Sequence, residues 1–210
     1  MIVRYPVPAA EHVFEQEIKQ SRFIATVTYA PDAAAARARI AEIAARYPDA
    51  THNCWAFLAG IGPGAEFGMS DDGEPGGTAG RPMLMVLQGS GIGDIAAVVT
   101  RYFGGVKLGS GGLVRAYGGT LQKALATLPL REQVVRRSGL LIVDYAQYEQ
   151  LRRLLSSCDA LIQEEHFAAQ VTLRVALPLD QWETCAAAVR DLSNGSVELL
   201  PLDAQPVSSE

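Results

Sequence analysis

The sequence predicts a two-domain protein of mixed α/β class, and three observations predict it. A chain of 210 residues allows about one to two domains at roughly 100–200 residues each. Apolar residues make up 49% and charged residues 20%, the composition of a chain with a packed core. Short β-branched runs alternate with Ala- and Leu-rich helical stretches, and the last eighty residues carry the order β-α-β-β-α-β of a ferredoxin-like split βαβ unit. The expected domains are residues 1–130 and 131–202, with 203–210 as a frayed tail.

Each element has a local reason. Ser21–Tyr29 is β-branched and aromatic, hence a strand. Asp32 caps a helix over Ala33–Tyr47, which Pro48 stops. Thr51–Ala59 and Ala65–Ser70 read as strands around the Gly60–Gly64 turn. Thr78 is expected to cap a short helix that has Pro82 in its first turns and runs to Gln88. Ile95–Phe103 reads as a buried strand with Phe103 in the core, and Leu113–Leu128 as a helix closed by Pro129. In the second pattern Gln133–Asp144 is a strand, Tyr145–Ser157 a helix and Ala160–His166 a strand. Val171, Leu173, Val175 and Leu177 alternate with Thr172, Arg174 and Ala176, the period of a half-buried strand. Asp180 is expected to cap Gln181–Leu192, and Asn194-Gly195 turns into a strand over Ser196–Leu200.

Several function classes are disfavoured. No run approaches the roughly 20 apolar residues of a membrane helix, and no basic-then-apolar leader opens the chain. Cys54, Cys158 and Cys185 cannot all pair internally, and their spacing builds no zinc knuckle. A cytoplasmic, reduced protein without a membrane partner is expected. The net charge of −5 argues against nucleic-acid binding through bulk charge. Its distribution is uneven, however: Ile95–Arg131 holds Arg101, Lys107, Arg115, Lys123 and Arg131 and no acid. A local basic surface on an acidic chain follows.

Eighteen of the 20 glycines lie between Gly60 and Gly119, which concentrates special backbone geometry there. The loop from Gly104 places Gly104, Gly105, Gly109, Gly111 and Gly112 between a strand and a helix, beside Arg101, Lys107 and Arg115. Such a loop presents backbone N–H groups to an anion, and the helix N-terminus adds a favourable partial charge. The plainer reading is that the glycines only permit tight turns and close packing. Tyr102, Phe103 and Tyr117 are candidates to stack on unpaired bases, although Phe103 reads more simply as core.

No Walker loop occurs. Gly91-Ile92-Gly93-Asp94-Ile95-Ala96 precedes a strand instead of following one, so it is no dinucleotide fingerprint, and no cofactor is expected. Asp71, Asp72 and Glu74 are possible magnesium ligands. A solvated turn is the simpler reading, as is pairing of these acids with Arg81 or Arg101 to stiffen the loop. His52 and Cys54 share one strand face, which permits Cys–His chemistry but suits a buried thiol and a hydrogen-bonded histidine better. No catalytic residue is therefore assigned.

Two blocks carry a family resemblance. They are Ser70-Asp71-Asp72-Gly73-Glu74-Pro75 with Gly77-Thr78-Ala79-Gly80, and Arg101-Tyr102-Phe103-Gly104-Gly105-Val106-Lys107-Leu108-Gly109 with Gly112-Leu113-Val114-Arg115-Ala116-Tyr117. With Ser21-Arg22-Phe23 and His52-Asn53-Cys54-Trp55-Ala56, the chain closely resembles the YigZ/IMPACT family over about residues 15–125. The resemblance implies a first domain with the fold of the second domain of ribosomal protein S-five. It also implies a C-terminal domain similar to the last domain of elongation factor G. Its eukaryotic relatives regulate translation as interaction proteins. The expectation is a non-catalytic protein that binds RNA or a ribosome-associated partner through the basic loop. The alternative is a magnesium-dependent enzyme or a binder of a nucleotide or phosphorylated metabolite. Oligomeric state is left open.

Overall fold

A computed structural model describes residues 3–202 and 207–208. Its mixed α/β chain divides into two compact units, Arg4–Glu132 and the residues from Gln133 onward, each built on an antiparallel sheet. No helix among the described residues is long and apolar enough to cross a membrane.

In the first unit, β1 (Arg4–Pro8) precedes a five-stranded sheet of order β2-β3-β6-β4-β5. Its strands are β2 (His12–Ile18), β3 (Ser21–Tyr29), β4 (His52–Ala59), β5 (Glu66–Ser70) and β6 (Ile95–Tyr102). Strand alternation divides the side chains between two faces. Ala96, Val98, Phe57 and Ala59 pack against α1 (Ala33–Ala45), through Ala33, Ala36, Ile40 and Ile43. The other face presents Phe23, Ala25, Val27, Cys54, Ala56, Ile95, Ala97 and Val99 to α2 (Gly80–Ser90) and α3 (Ser110–Ala126). Asp32 caps α1 as expected, accepting the Ala35 N–H at 2.7 Å.

The strands β1 and β2 carry no clear signal in the sequence. The β2–β3 turn is Lys19-Gln20, both at positive φ (47° and 64°), and neither is a residue type that announces a turn.

The second unit runs β7 (Leu130–Val143, which begins in the first), α4 (Tyr145–Ser157), β8 (Leu161–Phe167), β9 (Val171–Pro178), α5 (Trp182–Leu192) and β10 (Leu200–Pro201). The pairings place β10, β7, β9 and β8 side by side, all antiparallel, which is the split βαβ arrangement. Leu141, Leu173, Val175, Leu151, Leu155, Trp182 and Val189 form its core.

Three local expectations are corrected here. The N-cap of α5 is Gln181, not Asp180. The strand expected over Ser196–Leu200 is instead the two-residue β10, Leu200–Pro201. Within the tail expected to fray, Val207–Ser208 pairs with Arg136 and Val135 on β7, while 203–206 and 209–210 lie outside the described residues.

Candidate functional site

The face that packs on α2 and α3 continues past its apolar core. Two residues beyond Val99 stands Arg101, two before Cys54 stands His52, and two before Phe23 stands Ser21. The register pairs Arg101 with Phe23 on one side and His52 on the other. A polar row therefore crosses the end of the sheet directly above the core. The Arg101 guanidinium lies 5.5 Å from the centre of the Phe23 ring and 5.4 Å from that of Phe103. These aromatic faces suit a cation removed from water.

The loop between β5 and α2 supplies the counter-charge. One carboxylate, that of Asp71, accepts the N–H groups of Gly77 (2.7 Å), Ala79 (2.9 Å) and Gly80 (2.8 Å). Burial works to raise the Asp71 carboxyl, yet these three donors hold it below the usual carboxylate range. Asp71 thus performs the capping expected of Thr78, whose hydroxyl donates to the Pro75 carbonyl instead. Asp72 accepts the Asn53 N–H on its carboxylate, and its carbonyl sits 2.7 Å from His52 Nδ1.

Pinned at these points, the loop turns Glu74 inward. Glu74 Oε1 accepts from Arg101 Nη1 at 2.5 Å and from the Tyr117 hydroxyl at 2.8 Å. The Arg101 and Glu74 side chains are 6% and 4% exposed, so the pair is a buried ion pair. Arg101 Nη2 reaches Ser21 Oγ at 3.4 Å, and Arg101 Nε is buried with no partner among the described residues. The acidic and basic blocks therefore meet in space.

His52 and Cys54 have separate roles. A carbonyl only accepts, so His52 Nδ1 carries the proton toward Asp72. In the neutral ring the lone pair then lies on Nε2, 4.0 Å from Glu74 Oε1. The Cys54 thiol donates to the Asp71 carbonyl at 2.9 Å. Burial pushes it up to about 12, which removes it as a nucleophile near neutral pH.

Above the row opens a cavity of about 460 Å³, walled by Thr51, His52, Glu74, Arg101, Phe103 and the segment from Lys107 to Ser110. The N-terminus of the 17-residue α3 lies at its rim. Gly109 occupies the N-cap at φ 72°, ψ 164°, without a capping side chain, and its carbonyl takes the Leu113 N–H. The N–H groups of Ser110, Gly111 and Gly112 precede the first intrahelical bond and have no helical acceptor. Lys107 is exposed and has no ion-pair partner among the described residues. A cation and a helix N-terminus on one rim favour a negative group.

The residues expected to form the site divide. Arg101 lines the cavity but is engaged by Glu74, so it does not stand free to neutralise a phosphate. Tyr117 is fully buried and cannot stack on a base; burial raises its hydroxyl far above the ordinary value. Tyr102 is half-buried, and its hydroxyl donates to Asp49 at 2.9 Å. Phe103, expected in the core, is 47% exposed because β6 ends at Tyr102.

Gly104 is required by its own chain, since a Cβ there would lie 1.9 Å from the Gln20 carbonyl oxygen. Its N–H is taken by Ser21 Oγ at 3.2 Å. Gly105 adopts φ 87°, a turn conformation. Gly111 and Gly112 lie in the first turn of α3, and Arg115 is exposed further along that helix. Asp71, Asp72 and Glu74 direct their carboxylates to protein donors, and no metal-binding cluster occurs among the described residues. The sequence does not single out Glu74 as the central residue. Its only signal there is the pairing of the loop acids with Arg81 or Arg101.

The blocks that build this site also match known proteins. The Impact N-terminal domain matches residues 19–125, and a domain of unknown function (DUF1949) matches residues 141–196. The IMPACT family member YigZ of Escherichia coli (strain K12) is 43% identical over 198 residues, 94% of this chain and 97% of that protein. The chain belongs to the IMPACT family. An IMPACT family member of Haemophilus influenzae is 40% identical over 203 residues, 96% of this chain and 98% of its own length. A solved structure titled "Crystal structure of an hypothetical protein" aligns with a TM-score of 0.72 at 41% identity, covering 98% of this chain and all of that one. Membership in the IMPACT family supports a translation-related regulatory role in general.

Proposed function

We propose that this IMPACT family protein is a non-catalytic binding protein of translation or its regulation, and that its cavity holds a phosphate of RNA. One observation carries the reading: Lys107 and the uncapped N-terminus of α3 share the rim of a cavity whose floor charge is already balanced by Glu74 and Arg101. With the floor neutral, the excess positive charge at the mouth is that of Lys107 and the helix end, which suits one anionic group. Phe103, exposed beside them, offers a ring on which an unpaired base stacks.

The test is single-stranded RNA binding as a function of salt. Each phosphate neutralised by the protein adds about 0.7 to the steepness of the log–log plot. Lys107→Ala should make the plot shallower by about that amount and leave the thermal midpoint unchanged. A flat salt response, or an unaltered slope in Lys107→Ala, refutes the reading.

A second reading rests on cavity size and on His52. About 460 Å³ lies within the usual range of small-molecule sites, and His52 is one of its walls. A nucleotide or phosphorylated metabolite would fit there. It would show as a thermal shift with one nucleotide of a panel, about 2.7 kcal/mol at 100 times its Kd.

A further inference from the structure

Between α2 and α3, away from Lys107, runs an open groove of about 900 Å³. Met85 and Val114 stand on it 65% and 39% exposed, and Met85 is the most exposed large apolar side chain among the described residues. At Gly118 the two helices are in ordinary contact, where a Cβ would sit 3.7 Å from Val86 and 3.8 Å from Pro82. Gly89 and Gly119, which also line the groove, differ. A Cβ at either would meet nothing within 4 Å, and neither has positive φ. Glycine is disfavoured inside a helix, and the fold itself makes no use of these two.

Charge completes the description. Across α2 and α3 the chain carries Arg81, Arg115 and Lys123 and no acid, although its net charge is −5. Lys123 donates to Gln16 on β2 at 2.7 Å, on the opposite flank of α3. Arg115 lines the groove, and Arg81 lies one turn before Met85; neither has an ion-pair partner among the described residues. No acid lines the groove.

We propose that this groove docks an acidic amphipathic helix of a partner protein, with its apolar stripe on Met85 and Val114 and its carboxylates facing Arg81 and Arg115. Pro6 of β1 and Leu130 of β7 also line the groove, but the walls that carry Met85, Val114 and Arg115 are helices whose backbone groups bond internally, so they offer no strand edge to an extended peptide. A helix arrives with its own backbone satisfied. Two isolated cations on apolar walls match a carboxylate-flanked stripe better than a continuous run of phosphates. A second copy of this chain is a poor occupant. Its α1 and α4 carry more cations than acids, and α5 buries Trp182, Cys185 and Val189 in its own core.

The probe is a fluorescein-labelled, stapled 16-residue helix with a leucine stripe flanked by glutamates. Its counterpart has lysine flanks. Anisotropy should show the glutamate probe binding at least tenfold tighter. Gly119→Phe should weaken it at least tenfold, Arg115→Glu should reverse the preference, and Lys107→Ala should leave it unchanged. Hydrogen exchange should slow across 81–90 and 111–126 on binding. If Gly119→Phe does not fold, Arg115→Glu, an exposed change, still decides. Equal binding of both probes, or unaltered binding in Gly119→Phe or Arg115→Glu, overturns the proposal. A dimer dissociated by Gly119→Phe, or RNA binding abolished in Arg115→Glu while the glutamate probe fails to bind, overturns it in favour of another occupant.

Discussion

Replacing Glu74 with Gln keeps the shape of the side chain and an oxygen for the Tyr117 hydroxyl, but removes the charge that balances Arg101. Both partners are more than nine-tenths buried, so the guanidinium would be left in low dielectric with Nε already unpartnered. Breaking a buried pair by removing one partner typically costs about 3–5 kcal/mol. An exposed pair would cost about 0–1 kcal/mol. Urea unfolding followed by Trp55 emission, in a Trp182→Phe background, reports on the first unit alone. With a slope of about 2 kcal/mol per molar, the midpoint should fall by roughly 1.5–2.5 M. Glu74→Gln combined with Arg101→Met should recover most of the loss, because the orphaned charge is gone. A Glu74→Gln cost below about 1 kcal/mol, or a double variant as unstable as the two single costs summed, refutes the claim that the cavity floor is a coupled buried pair.

Three other residues test the surroundings. Asp71→Ala should cost about 1–2 kcal/mol, since α2 loses its cap, measured by the same urea titration. The Asp71 carboxyl is held low in the fold, so its contribution is complete above the unfolded value near 4 and disappears as pH falls through the lower folded value. Asp71→Ala should remove that part of the acid dependence. Cys54, with its thiol pushed up to about 12 by burial, should resist iodoacetamide at pH 8 in the native state and react only with unfolding; rapid native labelling would contradict its burial. Gly104→Ala should destabilise by about 1–3 kcal/mol, because the clash is with the Gln20 backbone, and a neutral result would contradict that close approach.

What can be read along the chain is whatever repeats over a few residues. Alternation defines β3 and β9, a capped Ala-rich run defines α1, and the same two-residue period puts His52 and Cys54 on one face. Turn chemistry is legible only where a residue type announces it. The Lys19-Gln20 hairpin does not, so β2 is hidden, and Phe103 reads as core because a strand end leaves no mark in composition. The site itself depends on partners distant in sequence. Arg101 has the charge of a phosphate ligand, but Glu74, 27 residues earlier, and Tyr117, 43 residues after Glu74, make its environment a buried network. A residue type carries its charge with it, whereas the partner that neutralises that charge is chosen by strand register and loop placement, which exist only once the sheet and helices have packed.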